Sequence, residues 1–533
     1  MAKLVKFKLD GKDVEAPEGQ LVIDAADKEG VEIPRYCYHP GLGNPGVCRL
    51  CVCEVAGAPK PQMSCRTTVK EGLVVSTNSP AAKRAQAASL EFHLANHPLD
   101  CPVCDRAGEC ELQDYYQGYG LYKSTVREDK RHKEKRKSIG PTVVLDQERC
   151  IQCTRCTRFL DNVTKTSEMG IFGRGDRSVV DVYPGMEVDN AYSGNIVDIC
   201  PVGALTDKDF RFSVRVWYLD RAPSVCTGCA RGCAIEVHTN TERPWHTEGR
   251  RVARLKPRFN PEVNGWWMCD EGRYSYKSAD SDTRLKASSR LGQDGAPVET
   301  SPADAAKGIA AELTRLVAER GAQGLAFVLS GTLSNEDLFA AKALIAKLGV
   351  PAANVALAPG PEQLGEADDL LRRAEKVPNL EGARALGFDT ARPLTELSPD
   401  RFWGVWAVDR AVPAGWDKLP FTVWQGPNAV RFTGAARWVL AAAHCFEEDA
   451  TAANFQGRLQ RLRQAVPPLG DSQPDWAWFG SVLRALGGEF PHQDAASIFA
   501  ALTAEEPAFR GLAFELPDEG VLLAASQPAG AAA

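Results

Sequence analysis

The cysteines constrain this chain more than any other feature. Sixteen of its seventeen lie at or before Cys269, and only Cys445 follows in the remaining half of the 533 residues. A disulfide framework would need an oxidising compartment. The opening stretch Lys3-Leu4-Val5-Lys6-Phe7-Lys8-Leu9 lacks the apolar core of a secretory signal, and no run approaches 18 apolar residues. The expectation is a soluble chain that is not exported and whose reduced thiolates bind metal. A formal net charge of −6 shows no basic excess, which argues against nucleic acid as a partner.

The cysteines fall into four sets. Cys37, Cys48, Cys51 and Cys65 follow C-x10-C-x2-C-x13-C in a loop with Gly41, Gly43 and Gly46. Such glycines allow close backbone approach, so that amide N–H groups can point at cluster sulfides, and the pattern suits a 2Fe-2S ferredoxin loop with structural zinc as the alternative. His97, Cys101, Cys104 and Cys110 follow H-x3-C-x2-C-x5-C, which can enclose zinc or a 4Fe-4S cube; spacing alone does not decide. Cys150, Cys153 and Cys156, with the distant Cys200-Pro201, form the bacterial-ferredoxin arrangement for a 4Fe-4S cluster. Cys226, Cys229, Cys233 and Cys269 follow C-x2-C-x3-C-x35-C, acceptable for zinc or a cube, and the neighbouring sets favour the cube. Cys53 and Cys445 remain over and read as a buried spare thiol and a small apolar core residue. His444 has no ligand partner nearby in sequence.

Around these sets the pattern is multidomain, α+β and then α/β. Alternating Val5, Phe7 and Leu9, a turn at Asp10-Gly11, then Val14 and Ala16 predict a β-hairpin. A helix follows over Gln20–Glu29. The stretch from Ala81 to about Ala95 is alanine-rich and predicts another. Arg127–Lys137 holds seven Lys/Arg against three Asp/Glu and reads as a solvated connector, the sharper option being contact with an acidic partner. Beyond Ser278, Ser301-Pro302 predicts a helix start whose Ile309, Leu313, Leu316 and Val317 share a face. Leu325–Leu329 predicts a buried strand, Asp337–Leu348 a helix ending at Gly349, and Val405–Val408 and Phe421–Trp424 further strands. The expected divisions are residues 1–80, 81–140, 141–219, 220–277 and 278–525, with a disordered tail over 526–533.

The wording YCYHPGLG…GVCRLC, the His97/Cys101/Cys104/Cys110 loop, ERCIQCTRCTRF and NIVDICPVGALTDK resemble, in order, the signatures of the large iron–sulfur subunit of NADH:quinone oxidoreductase, respiratory complex I. The resemblance covers roughly residues 1–275. It implies an N-terminal β-grasp 2Fe-2S ferredoxin-like domain, a His-Cys 4Fe-4S domain and a ferredoxin-type 4Fe-4S domain. The Cys226–Cys269 set looks like the additional 4Fe-4S site of some bacterial members. LSGTLSNEDLFAAKALIAKLGV and VPNLEGARALG resemble, more weakly, a molybdopterin-oxidoreductase α/β fold that is shortened here, and no molybdopterin is expected in it.

The implied function is single-electron relay from a flavin subunit that oxidises NADH towards quinone. Partners would be that subunit and other peripheral-arm subunits, with membrane contact only through the complex, on the cytoplasmic side of a bacterial inner membrane. The chain carries no G-x-G-x-x-G fingerprint, so hydride chemistry belongs elsewhere and no catalytic residue is expected here. Two other readings stand beside it. One is the wiring subunit of an NAD-linked hydrogenase or formate dehydrogenase complex; a self-contained enzyme of either kind would need further metal ligands downstream, where only Cys445 is available. The other is a zinc-rich binding protein.

Overall fold

The computed structural model describes residues 3–360, 363–409, 412 and 415–524. The tail expected over 526–533 lies outside them. The chain divides into two compact units, Met1–Tyr218 and residues 219 onward.

The first unit opens with the predicted hairpin, β1 (Leu4–Leu9) against β2 (Lys12–Pro17). Its inward residues Val5, Phe7, Leu9, Val14 and Ala16 alternate with exposed charges, as a half-buried sheet requires. α1 (Val22–Lys28) lays Val22, Ile23, Ala25 and Ala26 on that face. β3 (Val52–Val55), β4 (Gln62–Met63) and β5 (Val74–Ser76) complete a mixed sheet in the order β2-β1-β5-β3-β4. α2 (Pro80–Leu94) starts where Ser79 accepts the Ala82 N–H, with proline at the first turn. Beyond it come α3 (Glu111–Tyr119), β6 (Lys137–Ser138), β7 (Val143–Leu145) and α4 (Arg155–Phe159). A hairpin of β8 (Met169–Phe172) with β9 (Val179–Val182), α5 (Asn195–Ile199) and β10 (Leu205–Asp207) follow.

The basic stretch Arg127–Lys137 is largely exposed, as expected of a solvated connector, and it is also tied to the rest of the unit by ion pairs. Lys135 pairs with Asp100 at 2.6 Å and Glu148 at 2.8 Å, Lys137 with Asp181 at 2.8 Å, and Arg131 with Asp176 at 2.7 Å. Lys130 donates to the carbonyls of Leu94 and Ala95, and Lys133 to that of Ser178. The local positive excess is answered by carboxylates and carbonyls distant in sequence, so the segment is strapped down although it has little regular structure.

The second unit begins with a three-stranded antiparallel sheet of β11 (Asp220–Val225), β12 (Ala234–Thr239) and β13 (Val252–Pro257). α6 (Asp270–Arg273) follows. Its main body is a seven-stranded sheet: β14 (Ser288–Leu291), β15 (Pro297–Thr300), β16 (Leu325–Ser330), β17 (Val355–Ala358), β18 (Gly404–Val408), β19 (Phe421–Gly426) and β20 (Trp438–Ala441), in the order β15-β14-β20-β19-β18-β16-β17. The strands from β16 to β20 are mutually parallel. Read along the chain they run 2-1-3-4-5, a doubly wound order. Every residue of β16 is buried, because a parallel strand is covered on both faces. Leu325, Phe327 and Leu329 face a cluster built with α7 (Pro302–Arg320), α8 (Asn335–Leu348), α9 (Leu380–Ala385), α10 (Asp475–Ala485) and α11 (Ala495–Glu505). Ala326 and Val328 face a second cluster with Trp416, Trp424 and Phe402. The expected α/β region is therefore present, its helices starting at Ser301 and Ser334 and ending at Gly321 and Gly349. A small sheet of β21 (Ala450–Ala453), β22 (Arg458–Leu462) and β23 (Val521–Leu522) closes it.

Candidate metal centres

In the first set all four thiols are buried. Cys37 and Cys48 hydrogen-bond each other, as do Cys51 and Cys65; the shared proton holds Cys37 down at about 5 and Cys51 at about 7. Cys65 feels the charges of Cys51, Cys37 and Cys48, so the four sulfurs form one group. Backbone N–H groups of Val47 and Cys48 reach the Cys37 sulfur. Gly46 has φ +70, and a Cβ there would press on Arg66 Cδ at 3.1 Å. Gly41 needs no such freedom; it donates to His39 Nδ1. Cys53, the spare thiol, is fully buried on β3 among the apolar residues beneath α1.

In the second set Cys104 and Cys110 are buried and Cys101 is exposed. Cys104 lies within electrostatic reach of Cys101, and Cys110 of Cys104. Burial, followed by Lys130 and Arg149, lowers His97 to about 4, so its imidazole is neutral and can act as a ligand. Its Nδ1 is buried without a hydrogen-bond partner. The ring lines a cleft of about 390 Å³ that also includes Cys48 and Cys150. A Cβ on Gly203, in the loop after Cys200, would overlap the Cys104 sulfur. Next to it, the Glu111 N–H donates to the Pro201 carbonyl at 3.0 Å.

In the third set Cys153, Cys156 and Cys200 are buried and Cys150 is partly exposed. Cys150, Cys153, Cys156 and Cys200 line one cavity whose other walls include Leu145, Val180, Val202 and Leu205. Burial pushes Cys150 up to about 11 and raises Cys156 far above the ordinary thiol value, with the other three sulfurs adding to the rise in Cys156. Gln152 and Thr154 adopt φ +54 and +64, the left-handed region that non-glycine residues avoid. These two turns wind the chain so that the Gln152 N–H points at Cys150 Sγ, at 3.4 Å.

The fourth set lines a second small cavity: Cys226, Cys229, Cys233 and Cys269, with Gly228, Met268 and Gly272. Cys269 caps α6, and the Gly272 N–H reaches its sulfur at 3.4 Å. A Cβ on Gly272 would sit 2.9 Å from Cys226 Sγ, so glycine keeps the sulfur's place clear. Cys445 packs against an apolar cluster as expected, at its edge. It is only partly buried against Val225 and Ala450, its sulfur accepts from the Thr227 hydroxyl at 3.4 Å, and it lies near Cys226. His444 pairs with Ser278 Oγ at 2.9 Å.

Among the described residues no group of three or more His, Cys, Asp or Glu side chains is arranged to hold a metal ion. The third and fourth sets are arranged differently, with four sulfurs distributed around a cavity. A 4Fe-4S cube takes one thiolate at each corner, whereas tetrahedral zinc draws all four ligands onto one point at about 2.3 Å. The donor chemistry and the N–H groups aimed at sulfur therefore fit iron–sulfur clusters.

Cysteine spacing passes over two arginines in ERCIQCTRCTRF. Arg155 is buried and reaches Tyr38, Glu111 and Ile199, while Arg158 donates to the carbonyls of Cys37, Leu42 and Gly43. Their three-residue spacing on α4 puts both on one side of the helix, but nothing in the sequence marks that side as the one that meets these loops.

Comparison with known proteins gives matches over the same regions. Residues 2–80 match a family described as a 2Fe-2S iron-sulfur cluster binding domain. Residues 86–125 match the NADH-ubiquinone oxidoreductase-G iron-sulfur binding region, and residues 140–206 the ferredoxin-like domain of NADH-quinone oxidoreductase subunit 3. The G subunit of NADH-quinone oxidoreductase from Rickettsia felis is 38% identical over 346 residues, 65% of this chain and 49% of that protein. The mitochondrial 78 kDa subunit of NADH-ubiquinone oxidoreductase from Neurospora crassa is 43% identical over 273 residues, 51% of this chain and 36% of that protein. The chain thus spans about half or less of the length of the curated relatives it matches. Among solved structures, a chain of the NAD+-reducing [NiFe]-hydrogenase in the H2-reduced state is 32% identical, with a TM-score of 0.36, covering 40% of this chain and 91% of that one.

Proposed function

We propose that this chain, which is 38% identical over 346 residues to the G subunit of NADH-quinone oxidoreductase from Rickettsia felis, relays single electrons from a flavin subunit towards quinone. The observation that carries this reading is the third set: four cysteines, distant by up to fifty residues, line one enclosed cavity with a backbone N–H directed at sulfur. Bound clusters would supply one-electron uptake and release over a span of roughly −700 to +450 mV, the value being set by ligand, charge and burial.

The chain's own residues do the rest. Cys37, Cys48, Cys51 and Cys65 would hold a 2Fe-2S cluster. Three 4Fe-4S clusters would lie on His97, Cys101, Cys104 and Cys110; on Cys150, Cys153, Cys156 and Cys200; and on Cys226, Cys229, Cys233 and Cys269. A neutral imidazole at His97 carries less negative charge than a thiolate and favours a higher potential there. Apolar walls at the third site, Leu145, Val180, Val202 and Leu205, would lower the local dielectric around a bound cluster. The partners would be the flavin-bearing subunit and other peripheral-arm subunits, on the cytoplasmic side of a bacterial inner membrane. Among the described residues no helix is long and apolar enough to cross a membrane, so contact with it would run through those partners.

The test is metal analysis of the full chain after anaerobic reconstitution. We expect about 14 irons with matching acid-labile sulfide, from one 2Fe-2S and three 4Fe-4S clusters. Stoichiometric zinc with little sulfide would overturn the assignment.

A further inference from the structure

Arg155 is only 5% exposed, and its guanidinium binds three segments far apart in sequence. Nη1 donates to Glu111 Oε1 at 2.9 Å and to the Ile199 carbonyl at 3.2 Å; Nη2 donates to the Tyr38 carbonyl at 3.0 Å and to Glu111 Oε2 at 3.2 Å. Each partner adjoins a thiol of a different set: Tyr38 follows Cys37, Glu111 follows Cys110, and Ile199 precedes Cys200. Arg155 itself lies between Cys153 and Cys156. One side chain therefore touches the backbone or neighbour of a thiol in each of the first three sets. Its Nε is buried with no hydrogen-bond partner, and its charge lies within reach of Cys153 and Cys200.

We propose that Arg155 is a positioning residue shared by the first three centres, and that its charge raises their potentials together. The inference rests on the cluster assignment made above. Reduction adds an electron to a centre whose thiolates are already negative, so a nearby fixed cation favours the reduced state. Glu111 offsets this charge only in part, because its side chain is 36% exposed against 6% for Arg155, and water screens the carboxylate more than the guanidinium. Arg158 adds a second cation on the same helix, tying the Cys37 loop through three carbonyls.

The experiment compares reconstituted full-length wild type, Arg155→Gln, Arg155→Lys and the exposed Arg84→Gln as a control for removing a charge. Iron and sulfide per chain and EPR-monitored redox titrations are the readouts. In Arg155→Gln the reduction equilibria of all three centres should fall, each about tenfold, a drop of about 59 mV for one electron. Arg155→Lys should hold those potentials near wild type, and Arg84→Gln should leave them unmoved. If Arg155→Gln loses clusters, their recovery in Arg155→Lys supports the proposal. Full iron with unmoved potentials in Arg155→Gln would overturn it; equal loss of clusters in the Gln and Lys variants would bear out the positioning by the guanidinium fork and overturn the role given to charge, because a retained charge would not have rescued the centres. Wild-type protein that takes up no iron–sulfur cluster would instead sink the underlying assignment.

Discussion

His97 gives the sharpest test among single residues. Its imidazole is neutral, its Nδ1 has no hydrogen-bond partner, and the nearest set in sequence offers three thiols. His97→Cys should retain a 4Fe-4S centre at that site and lower its potential, because a thiolate adds negative charge and penalises the reduced state more. A redox titration in which no centre moves would show that His97 is not a ligand. The sequence singles out His97 because it stands just before three clustered cysteines. Arg155 was not legible in it: its partners at 38, 111 and 199 are brought together only by the fold, and nothing in ERCIQCTRC distinguishes a guanidinium that joins three loops from one that faces water. The Thr227 partner of Cys445 was hidden for the same reason, since it lies 218 positions away.

Among the elements, α8 combines a readable end with an unreadable interior. Gly349 ends the helix at φ +69, as the sequence shows, whereas the start lies at Asn335, two residues before the expected Asp337, because Ser334 and Asp337 form a reciprocal cap. Glu336, which a helical pattern would place at the surface, is instead fully buried and accepts from the Thr451 N–H and hydroxyl, each at 2.9 Å. Burial is the larger influence and pushes its carboxyl up to about 8, against an ordinary 4.5. Between those values the folded state holds a proton that the unfolded chain releases, so the stability linked to Glu336 is complete below about pH 4.5 and is lost as pH rises through about 8. Asp337 and Asp475 are also raised by burial and add in the same direction. Glu336→Gln should flatten the decline in unfolding midpoint between pH 5 and pH 8.5, followed by the fluorescence of buried Trp406, Trp424 and Trp478. Curves parallel to wild type would mean the carboxyl ionises freely in the fold. β16 and β18 were legible because unbroken apolar runs mark strands covered on both faces. β14 and β15 were not, since their hairpin is largely exposed and carries little pattern. The strands β11–β13 were not legible either, since each is six residues long and none alternates cleanly between buried and exposed.

Over the whole molecule, the thiol sets divide as the two units do: the first three lie within Met1–Tyr218 and the fourth within the unit that follows. Cys226, Cys229, Cys233 and Cys269 join the chain on either side of β12 and β13, where metal binding would couple to folding. Cys226→Ala should therefore lower stability or assembly yet leave NADH-to-quinone turnover per flavin largely intact in the assembled complex, whereas Cys153→Ala should abolish it. Equal loss in both variants would place the fourth centre on the main route.

The contact of Gly203 with the Cys104 sulfur, together with the Glu111–Pro201 bond beside it, has a consequence for how the protein matures. The loop that carries Cys200 also packs against Cys104, so clusters bound at the second and third sets would share a wall. Filling one would then order part of the other, and the two should fill together as iron is titrated into the empty chain.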